Sequence, residues 1–267
     1  MFGSIANTCY HHGLNIFLNI LWGPLINAVY TIGNQVGNAL NLFGISFFSA
    51  VRPALIKEYV GHDVQSTLHL FNLSNKVLFF LVGFLILIIY PNTEFILNFW
   101  LKKYDHNTII FVKLFLFNSL ILTMHLPITA IIQAAGKVKI YHGLVDGFTI
   151  LCMPFIYYAI RSIDKPEFVI VSSIIVFVTA HFIRLLIMKR VINFSISSYL
   201  VRFCIPASIS LSIPLILSAF FIYPDDGLFV IPIKTIGLLI VFSTVFFTTV
   251  LDRKDQCQIL NYLKNKM

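Results

Sequence analysis

Charged side chains are scarce in this sequence. Only 11% of its 267 residues are Asp, Glu, Lys or Arg, whereas a soluble domain carries about 25%. Hydrophobic residues make up 58%, and apolar runs recur along the whole length without a polar stretch long enough for a soluble domain. These features exclude an ordinary soluble globular protein and predict an all-α, polytopic membrane protein.

Paired cysteines and large loops are also missing. The four cysteines (Cys9, Cys152, Cys204 and Cys257) stand singly with no CxxC spacing, so this spacing indicates neither a metal site nor a disulfide framework. The N-terminus lacks the basic, apolar and small-residue pattern of a secretory signal. A membrane enzyme of glycan synthesis would need a sizeable loop or a clustered catalytic constellation, and neither is visible. We therefore expect no cofactor, no metal and no enzymatic activity.

The apolar runs predict eight membrane-spanning helices within a single transmembrane domain over residues 1–267, since one span needs about 20 mostly apolar residues. The predicted ranges are 3–22, 25–50, 77–98, 109–134, 140–160, 167–190, 203–223 and 229–250. Gly23-Pro24 separates the first two, because glycine signals a turn and proline suits the start of a helix.

Positive charge is distributed unevenly between the predicted loops. Eight spans place both termini on one side, and the loops of that side hold about twice as many Lys and Arg residues as the opposite loops. By the positive-inside rule, both termini are expected in the cytoplasm. The formal net charge of +8 is thus explained by topology, and we expect membrane lipids and no nucleic acid as partners.

The second predicted span, with "INAVYTIGNQVGNALNLFG" at 26–44, is rich in amide side chains. At 100° per residue, five polar residues fall within an arc of about 80°, and Gln35 flanks them. These five are Asn27, Thr31, Asn34, Asn38 and Asn41. Hydrocarbon offers no hydrogen bonds, so the stripe faces either neighbouring helices or a water-filled cavity. Its length favours the cavity, and Gly33, Gly37 and Gly44 predict a close helix contact beside it.

The fourth predicted span repeats this design. Asn118, His125, Thr129 and Gln133 share one face, and Pro127 predicts a kink. We interpret the four as cavity-lining residues, although a single histidine is more often a hydrogen-bonding partner between helices. Arg52, where the second span ends, is interpreted equally well as a diphosphate contact or as a positive-inside anchor.

Asp146 and Arg184 are predicted inside consecutive antiparallel spans at similar depth. This placement predicts an intramembrane ion pair between them. A structural pair, or an arginine that extends to the membrane surface, is favoured over an ion-coupling site.

Three stretches resemble a known family. "NIFLNILWGPLINAVYTIGNQVGNA", "LFGISFFSAVRPALIKEYVGHD" and "AIIQAAGKVKIYHGL" are similar to bacterial O-antigen flippases of the Wzx type, in the superfamily of multidrug and lipid-linked oligosaccharide exporters. The resemblance implies a two-lobed helical bundle in the inner membrane. It would carry undecaprenyl-diphosphate-linked oligosaccharide across by alternating access, for O-antigen or other surface polysaccharides. The matching cavity-helix positions are those of the polar stripe, with Gln35 and Arg52.

The chain also departs from the family pattern. Family members often carry an arginine where this chain has Tyr30 and Thr31, and a small or apolar residue at the position of Asp146. The chain resembles the second lobe only, so we expect a separate first-lobe chain or a second copy as partner. Two alternatives remain: a multidrug or cation antiporter of the same superfamily, or a truncated remnant that does not transport.

Overall fold

The computed structural model of the protein describes residues 2–221, 230–251 and 256. Within these ranges the regular elements are all helices, and seven of them are long and apolar enough to cross a membrane. The predicted all-α membrane helix bundle is thereby confirmed.

We number the helices in chain order, joining short segments that run on without a break. The helices are α1 (Phe2–Val60), α2 (Val64–Ile89), α3 (Thr93–Leu101), α4 (Asn107–Ala134), α5 (Val138–Ile163), α6 (Phe168–Ile192), α7 (Ile196–Phe221) and α8 (Val230–Thr249). π-Helical turns occur in α5 at His142–Asp146 and in α7 at Leu200–Cys204. α4 continues through Pro127 to its end.

Helix α1 contains two spans, because 59 helical residues would extend about 90 Å at 1.5 Å per residue. Gly23 interrupts it with φ 79° and ψ −175°, a left-handed φ that glycine adopts without steric cost. The part before Gly23 runs parallel to α5, and the part after it runs parallel to α4. Since α4 and α5 are antiparallel, the chain reverses direction at Gly23, as the Gly-Pro pair predicts.

The third predicted span, 77–98, is misplaced. Helix α2 starts at Val64 because the side chain of Asp63 caps it, accepting a hydrogen bond from the backbone N–H of Ser66 at 3.0 Å. The same bond lowers the pKa of the Asp63 carboxyl. Pro91 has no backbone N–H to donate and follows the end of α2. The next helix, α3, begins at Thr93. Lys76, which the prediction placed in a loop, is buried within α2.

Other predicted spans differ less from the structure. The second predicted span extends to Val60, and the seventh is replaced by Ile196–Phe221. The gap between the last two predicted spans, 224–228, and the predicted start of the last span at 229 lie outside the described residues.

Two of the four apolar clusters among the described residues are large and connect most of the helices. One contains aromatic rings from α2, α7, α8 and the α6–α7 connection. The other joins both parts of α1 to α4, α5 and α6. The second core places the amide-rich part of α1 directly against α4.

Candidate functional site

A cavity of about 510 Å³ lies between α1, α4 and α6. Amide and hydroxyl groups of two helices line its polar part, and leucine, isoleucine and phenylalanine side chains line the rest. The polar lining residues are Asn34, Asn38, Asn41, Asn118, Ser119 and Thr123. The structure therefore brings together four of the predicted cavity asparagines, three from α1 and one from α4.

Close contact between α1 and α4 forms one side of this cavity. The Ser119 hydroxyl donates to the backbone carbonyl of Gly37 at 2.8 Å. A Cβ atom at Gly37 would lie 3.0 Å from the Ser119 Oγ, and one at Gly44 would lie 2.5 Å from the Thr123 Cγ2. The predicted small-residue contact is confirmed, and it sets Asn118 opposite the asparagines of α1.

Two amide oxygens at the cavity have no hydrogen-bond partner among the described residues. They are the Oδ1 atoms of Asn41 and Asn118, and Asn118 is buried. An unpaired carbonyl oxygen in an apolar environment is costly unless a donor is supplied. The amides of Asn34, which is half-buried, and Asn38, which is exposed, also line the cavity. They can donate to and accept from a neutral guest that carries hydroxyl or amide groups.

The remaining predicted residues of the α1 stripe lie outside the cavity lining. Asn27 is half-buried, and its backbone carbonyl accepts a hydrogen bond from the Thr31 hydroxyl at 2.8 Å. Thr31 and Gln35 are exposed on the same face of the helix. This face continues the polar surface of the cavity toward the Gly23 end of the bundle.

Arg52 and Gln133 meet where α1 and α4 approach their C-terminal ends. The Arg52 guanidinium donates to the Gln133 side-chain oxygen at 2.9 Å. Arg52 is exposed and Gln133 is half-buried. Thr129, one turn earlier on α4, donates to the His125 carbonyl at 2.8 Å and lies 3.4 Å from the Tyr141 hydroxyl.

His125 is buried against α6 and is absent from the cavity lining. Its ring stacks on that of His181, with centroids 5.2 Å apart and an interplanar angle of 23°. Nε2 of His125 and Nδ1 of His181 have no hydrogen-bond partner among the described residues. Sequence reasoning missed His181, although a histidine inside an apolar span was itself a signal of a polar contact.

The predicted ion pair between Asp146 and Arg184 is not formed. Asp146 Oδ2 lies 2.6 Å from Nδ1 of His142, which precedes it by four residues and so shares its helix face. The Arg184 Nε donates to the Tyr141 hydroxyl at 3.1 Å, and its guanidinium lies 5.5 Å from the centre of the Tyr141 ring. Each side chain thus has a different partner on α5.

Within the described residues, no group of three His, Cys, Asp or Glu side chains is arranged to hold a metal ion. Fold and cavity together define the class of protein: a multi-pass helical membrane protein with a cavity that asparagines and apolar side chains line. No protein-family model, curated protein or solved structure matches the chain.

Proposed function

We propose that this protein transports an undecaprenyl-diphosphate-linked oligosaccharide across the bacterial inner membrane, as the second lobe of a Wzx-type flippase. One observation carries the proposal: asparagines of two helices, Asn34, Asn38 and Asn41 of α1 and Asn118 of α4, meet in one cavity. Its volume of about 510 Å³ falls within the range of about 300–1,000 Å³ that is usual for ligand pockets.

The lining chemistry suits a sugar better than a cationic drug. Amides both donate and accept hydrogen bonds, as the hydroxyl and N-acetyl groups of an oligosaccharide require. No Asp or Glu is present among the residues that line the cavity, whereas a cation-binding wall would use carboxylates. The proposed cargo is therefore neutral and rich in hydrogen-bonding groups where it contacts the cavity.

The exposed part of the stripe supports a second subunit. Thr31, Gln35 and Asn38 are exposed in this chain, although polar groups on a spanning helix are costly when they face lipid. A first-lobe chain, or a second copy of this chain, would cover this face and close the cavity. Alternating access would then consist of the two lobes opening to either side in turn.

The proposed orientation places both termini in the cytoplasm. Arg52, Lys57, Lys137 and Arg190 all lie at one end of the bundle, and the positive-inside rule assigns that end to the cytoplasm. Arg52 at the same end would meet the diphosphate of the cargo by charge-assisted hydrogen bonds.

Complementation in flippase-deleted hosts that make different surface polysaccharides tests this function. Restored polysaccharide is scored with this chain alone and with a first-lobe chain added. We expect restoration in at least one host with the added lobe, and its loss in Asn38→Leu and Asn118→Leu variants. Failure across all hosts and combinations, with wild-type amounts of protein in the membrane, would contradict the proposal.

Asn19→Leu is the matched control. Asn19 is an exposed asparagine in the first part of α1 and does not line the cavity. It should leave transport intact, whereas equal loss in all three variants would mean that asparagines act through folding or insertion.

A further inference from the structure

A second concave surface lies at the basic end of the bundle, between α5 and α6. It is a groove of about 330 Å³, and its walls are aliphatic except for Lys137 and Arg190. The aliphatic residues are Ile140, Leu144, Ile183, Leu186, Ile187 and Val191. None of these eight residues lines the asparagine cavity, so the groove is a separate site.

The backbone holds Lys137 at the edge of the groove. Gly136, two residues after the end of α4, has a left-handed conformation with φ 70°. The N–H of Gly136 donates to the carbonyl of Gln133 at 3.0 Å, and that of Lys137 donates to the carbonyl of Ile132 at 3.2 Å. This is the hydrogen-bond pattern of a Schellman motif, and it fixes where the lysine leaves the helix end.

Arg190 reaches the same edge from the last turn of α6. The groove below it follows α6 from Ile183 to Arg190, which is about 10 Å at 1.5 Å per residue. Leu144 and Leu186, on facing walls, are 52% and 56% exposed. Two cations therefore stand above an open aliphatic channel that starts at one end of the bundle.

We infer that this groove binds one anionic glycerophospholipid, such as phosphatidylglycerol, with its phosphate between Lys137 and Arg190 and an acyl chain along α6. Charge complementarity decides the occupant, because basic pockets between transmembrane helices bind anionic head groups. The aliphatic walls require a hydrocarbon chain attached to that phosphate. An apolar partner helix would cover the walls and leave both cations without a counter-charge.

Ordinary positive-inside anchoring is the competing explanation of these cations. Lys139 and Lys189 provide the comparison, since both are exposed, immediately neighbour the groove in sequence and do not line it. An anchoring role depends on charge near the membrane surface and makes all four residues equivalent. If the groove is a lipid site, Lys137 and Arg190 contribute more to lipid binding than Lys139 and Lys189 do.

Native mass spectrometry of the full chain in detergent tests the inference, with phosphatidylglycerol titrated against phosphatidylcholine. We expect one phosphatidylglycerol to bind preferentially. Lys137→Gln/Arg190→Gln should weaken its binding about thirtyfold, whereas Lys139→Gln/Lys189→Gln should change it less than threefold. Equal losses in the two double variants, or equal binding of the two lipids by the wild type, would overturn the inference.

A groove-filling variant tests the acyl-chain part with all charges retained. Leu144→Trp/Leu186→Trp places bulk on two exposed positions, so the fold should tolerate it, and circular dichroism checks this. We expect loss of the bound phosphatidylglycerol. Retention of the lipid, or equally tight binding of glycerol phosphate without acyl chains, would show that the channel holds no hydrocarbon.

Discussion

The asparagine cavity and the aromatic core occupy two sides of one bundle and fill space in opposite ways. Between α2 and α8, Phe79 stacks on Phe246 at 6.2 Å and Phe80 on Phe242 at 5.4 Å, both with an interplanar angle of 10°. Between α1 and α4, glycines bring the backbones together, and the short amide side chains beside them leave a cavity.

This difference shows that burial has two functions in a membrane protein. Lipid tails are as apolar as a protein core, so helix association depends on packing rather than on the hydrophobic effect. Phenylalanine rings give that packing between α2 and α8, and the rings carry no polar atom of their own. On the α1–α4 side, the glycine contact supplies the packing, which frees the next face of α1 for polar groups.

Removing a ring from the aromatic core should have the largest effect on stability. Phe242 is fully buried, and Phe242→Ala leaves a void beside the rings of Phe80 and Phe246. We expect the free energy of unfolding to fall by about 3 kcal/mol, measured by denaturation in detergent micelles.

Phe220→Ala is the control for this variant. Phe220 is 67% exposed on α7 and meets lipid or detergent rather than the core. Its removal should leave the unfolding free energy nearly unchanged, and equal losses in both variants would contradict the tight packing assigned to the aromatic side.

Enlarging a glycine of the α1–α4 contact should have the next largest effect. A Cβ at Gly37 already approaches the Ser119 Oγ to 3.0 Å, so Gly37→Leu forces the helices apart at a cost of about 2 kcal/mol. Gly237→Leu in α8 is the matched control, because a Cβ there meets nothing within 4 Å. A thermal unfolding midpoint unchanged in Gly37→Leu would show that the contact is loose.

Breaking the Arg52–Gln133 hydrogen bond should have the smallest effect of the three. The bond is exposed on the Arg52 side, and one such bond contributes about 1 kcal/mol. A double-mutant cycle with Arg52→Met and Gln133→Leu measures it as a coupling in unfolding free energy. Zero coupling would mean that Arg52 is held by the membrane surface and not by α4.

The sequence predicts features that depend on one helix at a time. Helical periodicity places Asn34, Asn38 and Asn41 on one face, and the Gly23-Pro24 pair predicts the reversal. The prediction of spans from apolar runs fails where a helix is partly polar. The stretch "VQSTLHLFNLSNK" at 64–76 forms the first half of α2.

Periodicity also does not specify which neighbour covers a face. His125 was predicted with the cavity residues and stacks on His181 of α6 instead. Asp146 and Arg184 were predicted as a pair from their similar depth in the membrane. In the structure, His142 is the partner of Asp146, and Tyr141 is the partner of Arg184. Contacts between helices depend on how each helix is rotated and tilted relative to its neighbours. The periodicity of a single helix does not determine these two angles.

The buried charge of Arg184 produces a positive electrostatic potential inside the bundle. Its guanidinium is buried, donates to the Tyr141 hydroxyl, and leaves Nη1 without a partner among the described residues. Counter-ions are absent from hydrocarbon, and Coulomb energies grow as the dielectric constant falls. The neighbouring residues His125 and Leu126 place this fixed positive potential close to the cavity wall. A fixed positive charge at this position disfavours a cation and favours a neutral or anionic group at that wall of the cavity.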